Sequence, residues 1–111
     1  MKVTVEQNGG VSVLMVEGEV DMHCSSELRV EIQGLLKNKA KKLCFDLSKV
    51  KYMDSSGIAT LIEAQQKLKK DKGELRLAAV PKMIQSVLDI AKLDQFFKIY
   101  PAVADALKDF K

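Results

Sequence analysis

Phe45-Asp-Leu-Ser-Lys-Val-Lys-Tyr-Met-Asp-Ser-Ser-Gly-Ile-Ala-Thr-Leu-Ile-Glu-Ala64 holds the change of period on which the fold turns. Its opening residues read as a buried strand and its closing residues as an amphipathic helix. Between them lies Asp54-Ser55-Ser56-Gly57, a polar junction where strand becomes helix. At a helix start four backbone N–H groups lack intrahelical partners, and the helix dipole favours negative charge there. A serine hydroxyl at that place is suited to carry a phosphate. It is equally suited to cap the helix, and Asp54 either caps or shapes the turn. The roles are compatible, because a capping hydroxyl at a domain edge is also reachable by a kinase.

Upstream, Val3-Thr-Val-Glu6 and Val11-Ser-Val-Leu-Met-Val16 flank Asn8-Gly9-Gly10, a hairpin pattern. Glu17-Gly18-Glu19-Val20-Asp21 ends the second strand in an acidic loop. Asp21, Ser25 and Ser26 are all candidate caps for a first helix, whose stripe is Leu28, Ile32, Leu35 and Leu36. Lys37-Asn-Lys-Ala-Lys-Lys42 closes that helix with cations where its carbonyl end favours them. In the strand Leu43-Cys-Phe-Asp-Leu47, Leu43, Phe45 and Leu47 share one face and Cys44 and Asp46 the other.

Downstream of the junction, Ile58, Leu61, Ile62 and Leu68 mark a second helix, with Glu63 and Lys67 at the favourable i,i+4 order. Gly73 suits its left-handed stop. Glu74-Leu-Arg-Leu-Ala-Ala-Val80 is the next strand, and Pro81 fits the first turn of a third helix carrying Ile84, Val87, Leu88 and Ala91. Leu93 to Tyr100 reads as an apolar connection, and Pro101 opens a last helix with Val103, Ala106, Leu107 and Phe110. The expected fold is α/β, one domain over residues 1–111, ordered β-β-α-β-α-β-α-α. Its four-stranded mixed sheet has an antiparallel edge strand and parallel strands thereafter.

Composition narrows the function. The length of 111 residues suffices for one core without staples, so Cys24 and Cys44 read as reduced thiols of a cytoplasmic protein. Fifteen acidic residues interleave with eighteen basic ones for a net charge of +3, which argues against a nucleic-acid binder. No apolar run approaches the ~20 residues of a membrane span, and Met-Lys-Val-Thr-Val-Glu6 lacks the apolar region of a signal peptide. The motifs of enzymes are missing too. Met53-Asp54-Ser55 is no Gly-x-Ser-x-Gly elbow, and the single histidine, His23, follows a different strand. Glu17, Glu19, Asp21, Asp46 and Asp54 do not form the adjacent acidic pair of a magnesium-dependent phospho-acceptor aspartate. Gly9-Gly10 is a turn, not a phosphate cradle. No catalytic residue, metal or cofactor is expected.

Tyr52-Met-Asp-Ser-Ser-Gly-Ile58, preceded by Phe45-Asp-Leu47, resembles the signature of the anti-sigma factor antagonists, the bacterial STAS domains. Val16-Glu-Gly-Glu-Val-Asp21 and the segment from Gly73 to Ile99 extend the resemblance over essentially the whole chain. It implies that Ser55 is the phosphorylated serine, Ser56 matching a position that is not the usual acceptor. It also implies two protein partners, an anti-sigma factor that is itself a serine kinase and a PP2C-type phosphatase. Unphosphorylated antagonist binds the former and frees a sigma factor; phosphorylation ends that binding. On this scheme the chain is a substrate and a binding protein, not an enzyme. One departure is Ala59 where many members carry glycine. The same resemblance covers non-switching STAS scaffolds of signalling or lipid-transport complexes. The expected contact surface comprises Asp21, Met22 and His23, then Asp54, Ser55, Ser56 and Gly57, with Thr60 and Glu63 as rim contacts on the second helix. The expected state is a monomer or weak dimer.

Overall fold

A β-hairpin opens the chain. Strands β1 (Lys2–Asn8) and β2 (Val11–Val20) pair antiparallel across Gly9 and Gly10, whose φ angles are 57° and 86°. Only a residue without a Cβ adopts two such angles in succession at little cost. The computed structural model describes residues 1–108 and Phe110. Helix α1 (Ser25–Lys37), strand β3 (Lys42–Met53), helix α2 (Ser55–Lys70) and strand β4 (Glu74–Ala78) follow. Helix α3 (Lys82–Ile90), strand β5 (Lys98–Tyr100) and helix α4 (Val103–Leu107) complete the order.

The sheet runs β1-β2-β3-β4-β5, with every pair after the hairpin parallel. The α/β class and the antiparallel edge strand stand as expected, but the sheet has five strands, not four. Lys98-Ile-Tyr100 is too short to show a period, and only its pairing of Arg76 with Lys98 and Ala78 with Tyr100 makes it a strand. Strands β2 and β3 also outrun their sequence signals. The acidic Glu17-Gly-Glu19 stays in β2, beside Lys49 and Tyr52 of β3, with register shifts that accommodate its Gly18.

The two faces of β3 do what their alternation requires. Leu43, Phe45 and Leu47 enter the larger core with Leu28 and Ile32 of α1 and Leu61 and Leu68 of α2. Cys44 enters a smaller core on the opposite face, closed by Ala106 and Phe110. Phe110 lies beyond α4, and that helix begins at Val103, later than Pro101 suggested. On α3 only Ile84 and Leu88 are buried; Val87 and Ala91, expected on the same stripe, are exposed.

Helices α1, α2 and α3 end alike. Lys39, Lys72 and Lys92 take φ of 64°, 61° and 59°, and the following amides of Ala40, Gly73 and Leu93 donate back to Leu35, Leu68 and Leu88. This is the Schellman pattern, with lysine where glycine is usual. Gly73 is therefore not the left-handed residue. It is small because a Cβ there would lie 2.6 Å from the Lys41 carbonyl oxygen. Pro81 likewise precedes its helix as the cap residue, one position earlier than expected.

Candidate functional site

Parallel pairing sets Val20 opposite Met53 at the carboxyl ends of β2 and β3. The loops that follow both strands therefore open on one edge of the sheet. The Asp54 amide donates to the Val20 carbonyl at 3.1 Å, tying the two exits together.

Asp54 itself caps α2. Its Oδ1 accepts from the Ser56 amide at 2.9 Å, the Gly57 amide at 3.3 Å and the Ser56 hydroxyl at 2.5 Å. Neither serine is the cap. Ser56 supports the aspartate that is, and Ser55 occupies the first helical position. The other oxygen, Oδ2, accepts the Met22 amide at 3.1 Å. One carboxylate thus closes the helix start and anchors the neighbouring loop.

That loop has its own lock. Asp21 Oδ1 accepts the His23 amide at 2.9 Å and the Cys24 thiol at 3.4 Å. The Cys24 sulfur also lies 3.1 Å from the Glu19 carbonyl. None of the three expected candidates caps α1: Cys24 holds the cap position, without a side-chain bond. Asp21 spends its carboxylate on the turn before the helix instead.

Donors concentrate on both carboxylates, and their acidity follows. The Ser56 hydroxyl, aided by the Gly57, Ser56 and Met22 amides, holds the Asp54 carboxyl below the ordinary carboxylate range. The Cys24 thiol, then the His23 amide, do the same for Asp21. Both are anions at neutral pH.

Ser55 is exposed, and among the described residues its hydroxyl makes no hydrogen bond. The oxygens of the adjacent Asp54 are committed to donors, and among the described residues no imidazole is hydrogen-bonded to the Ser55 hydroxyl. It is a reachable alcohol, suited to accept a group from an enzyme. Gly57 lies buried beneath it, where a Cβ would stand 2.6 Å from Met53 Cγ and 2.9 Å from Val20 Cγ1. That absence of side chain lets α2 start directly on the strand ends.

The structure assembles Asp21, Met22, His23, Asp54, Ser55, Ser56 and Gly57 at one place. Thr60 is not with them. It is 1 % exposed, with its hydroxyl donating to the Ser56 carbonyl at 2.9 Å. In the second turn of α2 the period carries residue 60 inward, correcting its placement on the rim. Glu63 is half-buried and away from the junction, bonded to Lys67 at 3.1 Å and paired with Arg29 of α1 at 3.4 Å. Tyr52 is not among the residues of the expected contact surface. It is 45 % exposed beside the junction, and Met22 is 72 % exposed. The signal for Tyr52 was available: alternation puts Met53 inward and its neighbour out.

No helix among the described residues is long and apolar enough to cross a membrane. The STAS domain model matches residues 2–106. The anti-sigma F factor antagonist of Paenibacillus polymyxa is 22 % identical over 112 residues, spanning 100 % of this chain and 96 % of its own length. An anti-sigma factor antagonist of Mycobacterium paratuberculosis, known as a crystal structure, is 31 % identical at a TM-score of 0.90, covering 98 % of this chain and 92 % of that one. The phosphorylated form of the Bacillus cell fate determinant SpoIIAA shares the fold at 18 % identity and a TM-score of 0.80, covering 99 % and 100 %.

Proposed function

The chain belongs to the STAS domain family, and on that premise we propose that it is a phosphorylation-switched antagonist of an anti-sigma factor in the cytoplasm. Unphosphorylated, it binds an anti-sigma factor that is also a serine kinase, and a sigma factor is freed. Phosphorylation on Ser55 ends the complex, and a PP2C-type phosphatase restores it.

The observation that carries this reading is the contrast between two adjacent serines. Ser55 is exposed with a free hydroxyl, whereas Ser56 is half-buried with its hydroxyl spent on Asp54. A kinase reaches the first without dismantling the helix cap. The names of the relatives, anti-sigma factor antagonists, supply the partner class.

The added phosphate brings about −1.5 to −2 charges. It does not find a vacant helix start, because Asp54 already takes the Ser56 and Gly57 amides. The dianion and the Asp54 carboxylate then stand side by side on the contact surface formed by Met22, His23, Tyr52 and Ser55. A partner that fits the unphosphorylated surface, where the Asp54 carboxylate is already held by its donors, must in addition desolvate the phosphate against that like charge, and each ~1.4 kcal/mol of that cost is tenfold in affinity. Binding fails at the interface while the fold persists.

Incubation with the cognate anti-sigma kinase and ATP, followed by intact-mass spectrometry, tests this. One phosphate appears on the wild type and none on Ser55→Ala. Phosphate retained on Ser55→Ala, or none on the wild type, overturns the assignment.

A further inference from the structure

Strand β1 is the outer strand of the sheet, with β2 on one side and no neighbour on the other among the described residues. It pairs with β2 over all seven residues, Lys2 to Asn8, without a bulge. Regular edges of this kind are templates for a further strand. Alternation along it is strict at first: Lys2, Thr4 and Glu6 are exposed, while Val3 and Val5 are half-buried against the core.

These residues are complementary to themselves. Antiparallel pairing of two copies about a two-fold axis through Thr4 sets Lys2 opposite Glu6 on both sides, Val3 opposite Val5, and Thr4 opposite Thr4. Each pair shares one face, as the pleat demands.

Helix α1 supplies an independent observation. A groove beside β1 is lined by Val5, Val30, Glu31, Gly34, Leu35 and Asn38. Val30 is 64 % exposed there, and a Cβ at Gly34 would meet nothing within 4 Å. Positions 27, 30, 34 and 37 form one stripe of the helix. Because Val5 lines the same groove as Val30 and Gly34, a two-fold axis at this edge runs the two α1 helices antiparallel, and a crossing centred between Val30 and Gly34 would set Val30 against the Gly34 of the other copy and Glu27 against its Lys37. The charge order of the helix suits that reversal as well as the charge order of the strand does.

We propose that β1 and the Val30–Gly34 stripe of α1 form a symmetric self-association surface, joining two copies into one ten-stranded sheet. The axis stands perpendicular to the sheet, so the two Ser55 edges face opposite ways and both stay open. Dimerisation does not depend on the phosphorylation reading.

Sedimentation equilibrium of the full chain from micromolar to roughly millimolar concentration reads the association. A concentration-dependent monomer–dimer equilibrium is expected. Lys2→Glu and Glu6→Lys should each weaken it about tenfold through the two like-charge contacts they create. The double variant should return it to near the wild-type value. Register is read separately in a Cys24→Ser background. Thr4→Cys should become a disulfide-linked dimer on mild oxidation, since residues directly opposite lie within disulfide reach, whereas Glu6→Cys should not. A monomer throughout the range overturns the proposal, including the case in which the edge serves a strand of another protein. A dimer indifferent to the charge swap, with Thr4→Cys no faster than Glu6→Cys, overturns it as well.

Discussion

Asp54 Oδ2 accepts the backbone N–H of Met22 at 3.1 Å, across 32 residues of chain, while its Oδ1 closes the first turn of α2. The exposed Met22 and the exposed Ser55 therefore sit on segments held in register by one carboxylate. A change at the helix start reaches the preceding loop directly, without passing through the core.

Asp54→Ala should release both segments. We expect a thermal midpoint lowered by several degrees and faster amide exchange at Met22, Ser56 and Gly57. Hydrogen exchange followed by NMR separates this from general destabilisation, because amides of β4 should change little at the same temperature.

The pH dependence of that cap has a definite sign. The folded carboxyl titrates below the ordinary aspartate value of 3.8, so the cap's contribution is complete above that pH. It declines as pH falls through the lower folded value. Melting curves of wild type and Asp54→Ala should therefore run apart at neutral pH and converge below about pH 3.8. A constant gap down to pH 2 would assign the difference to packing.

Ser55 and Ser56 should separate cleanly. Ser55→Ala should melt with the wild type and keep its partner, since no hydrogen bond is lost. Ser55→Glu should also melt normally but bind at least about a hundredfold more weakly, roughly 2.7 kcal/mol. Ser56→Ala should lose about 1 kcal/mol of stability with its bond to Asp54. Calorimetric titration against the cognate anti-sigma factor, paired with thermal melts, reads both quantities.

Gly57→Ala should cost roughly 1–3 kcal/mol by overpacking, because its new methyl meets Met53 and Val20 side chains. Met53→Ala introduced with it should recover part of the loss. A double-mutant cycle in urea measures that coupling; additive losses would place the strain elsewhere.

Arg76 is 7 % exposed, 4.1 Å over the Phe110 ring, and donates to the Ala106 and Lys108 carbonyls at 2.8 and 2.9 Å. Burial would raise the Glu74 carboxyl, but the bonds from Arg76 and Lys98 keep it low. Arg76→Leu strips partners from two carbonyls and that carboxylate, and should cost about 3 kcal/mol. Urea midpoints should fall with the slope unchanged.

Local chemistry by itself determined much of this protein. Asn8-Gly9-Gly10 specified the hairpin, the alternation of Leu43 to Leu47 specified a two-faced strand, and Asp54-Ser55-Ser56-Gly57 specified where strand becomes helix. Each is a preference of adjacent residues, expressed before any distant contact forms. The tertiary structure decided what depends on partners far along the chain. Lys98-Ile-Tyr100 is a strand only because β4 lies beside it. Asp54 prevails over the serines as cap, and it also has Met22 to hold. Thr60 turns inward because its face of α2 packs against the core, and Gly73 is bare because the Lys41 carbonyl lies beside it, while Lys72 takes the left-handed stop. Spacing cannot express such choices, since each is settled by which distant group comes within hydrogen-bond or van der Waals reach once the sheet has closed.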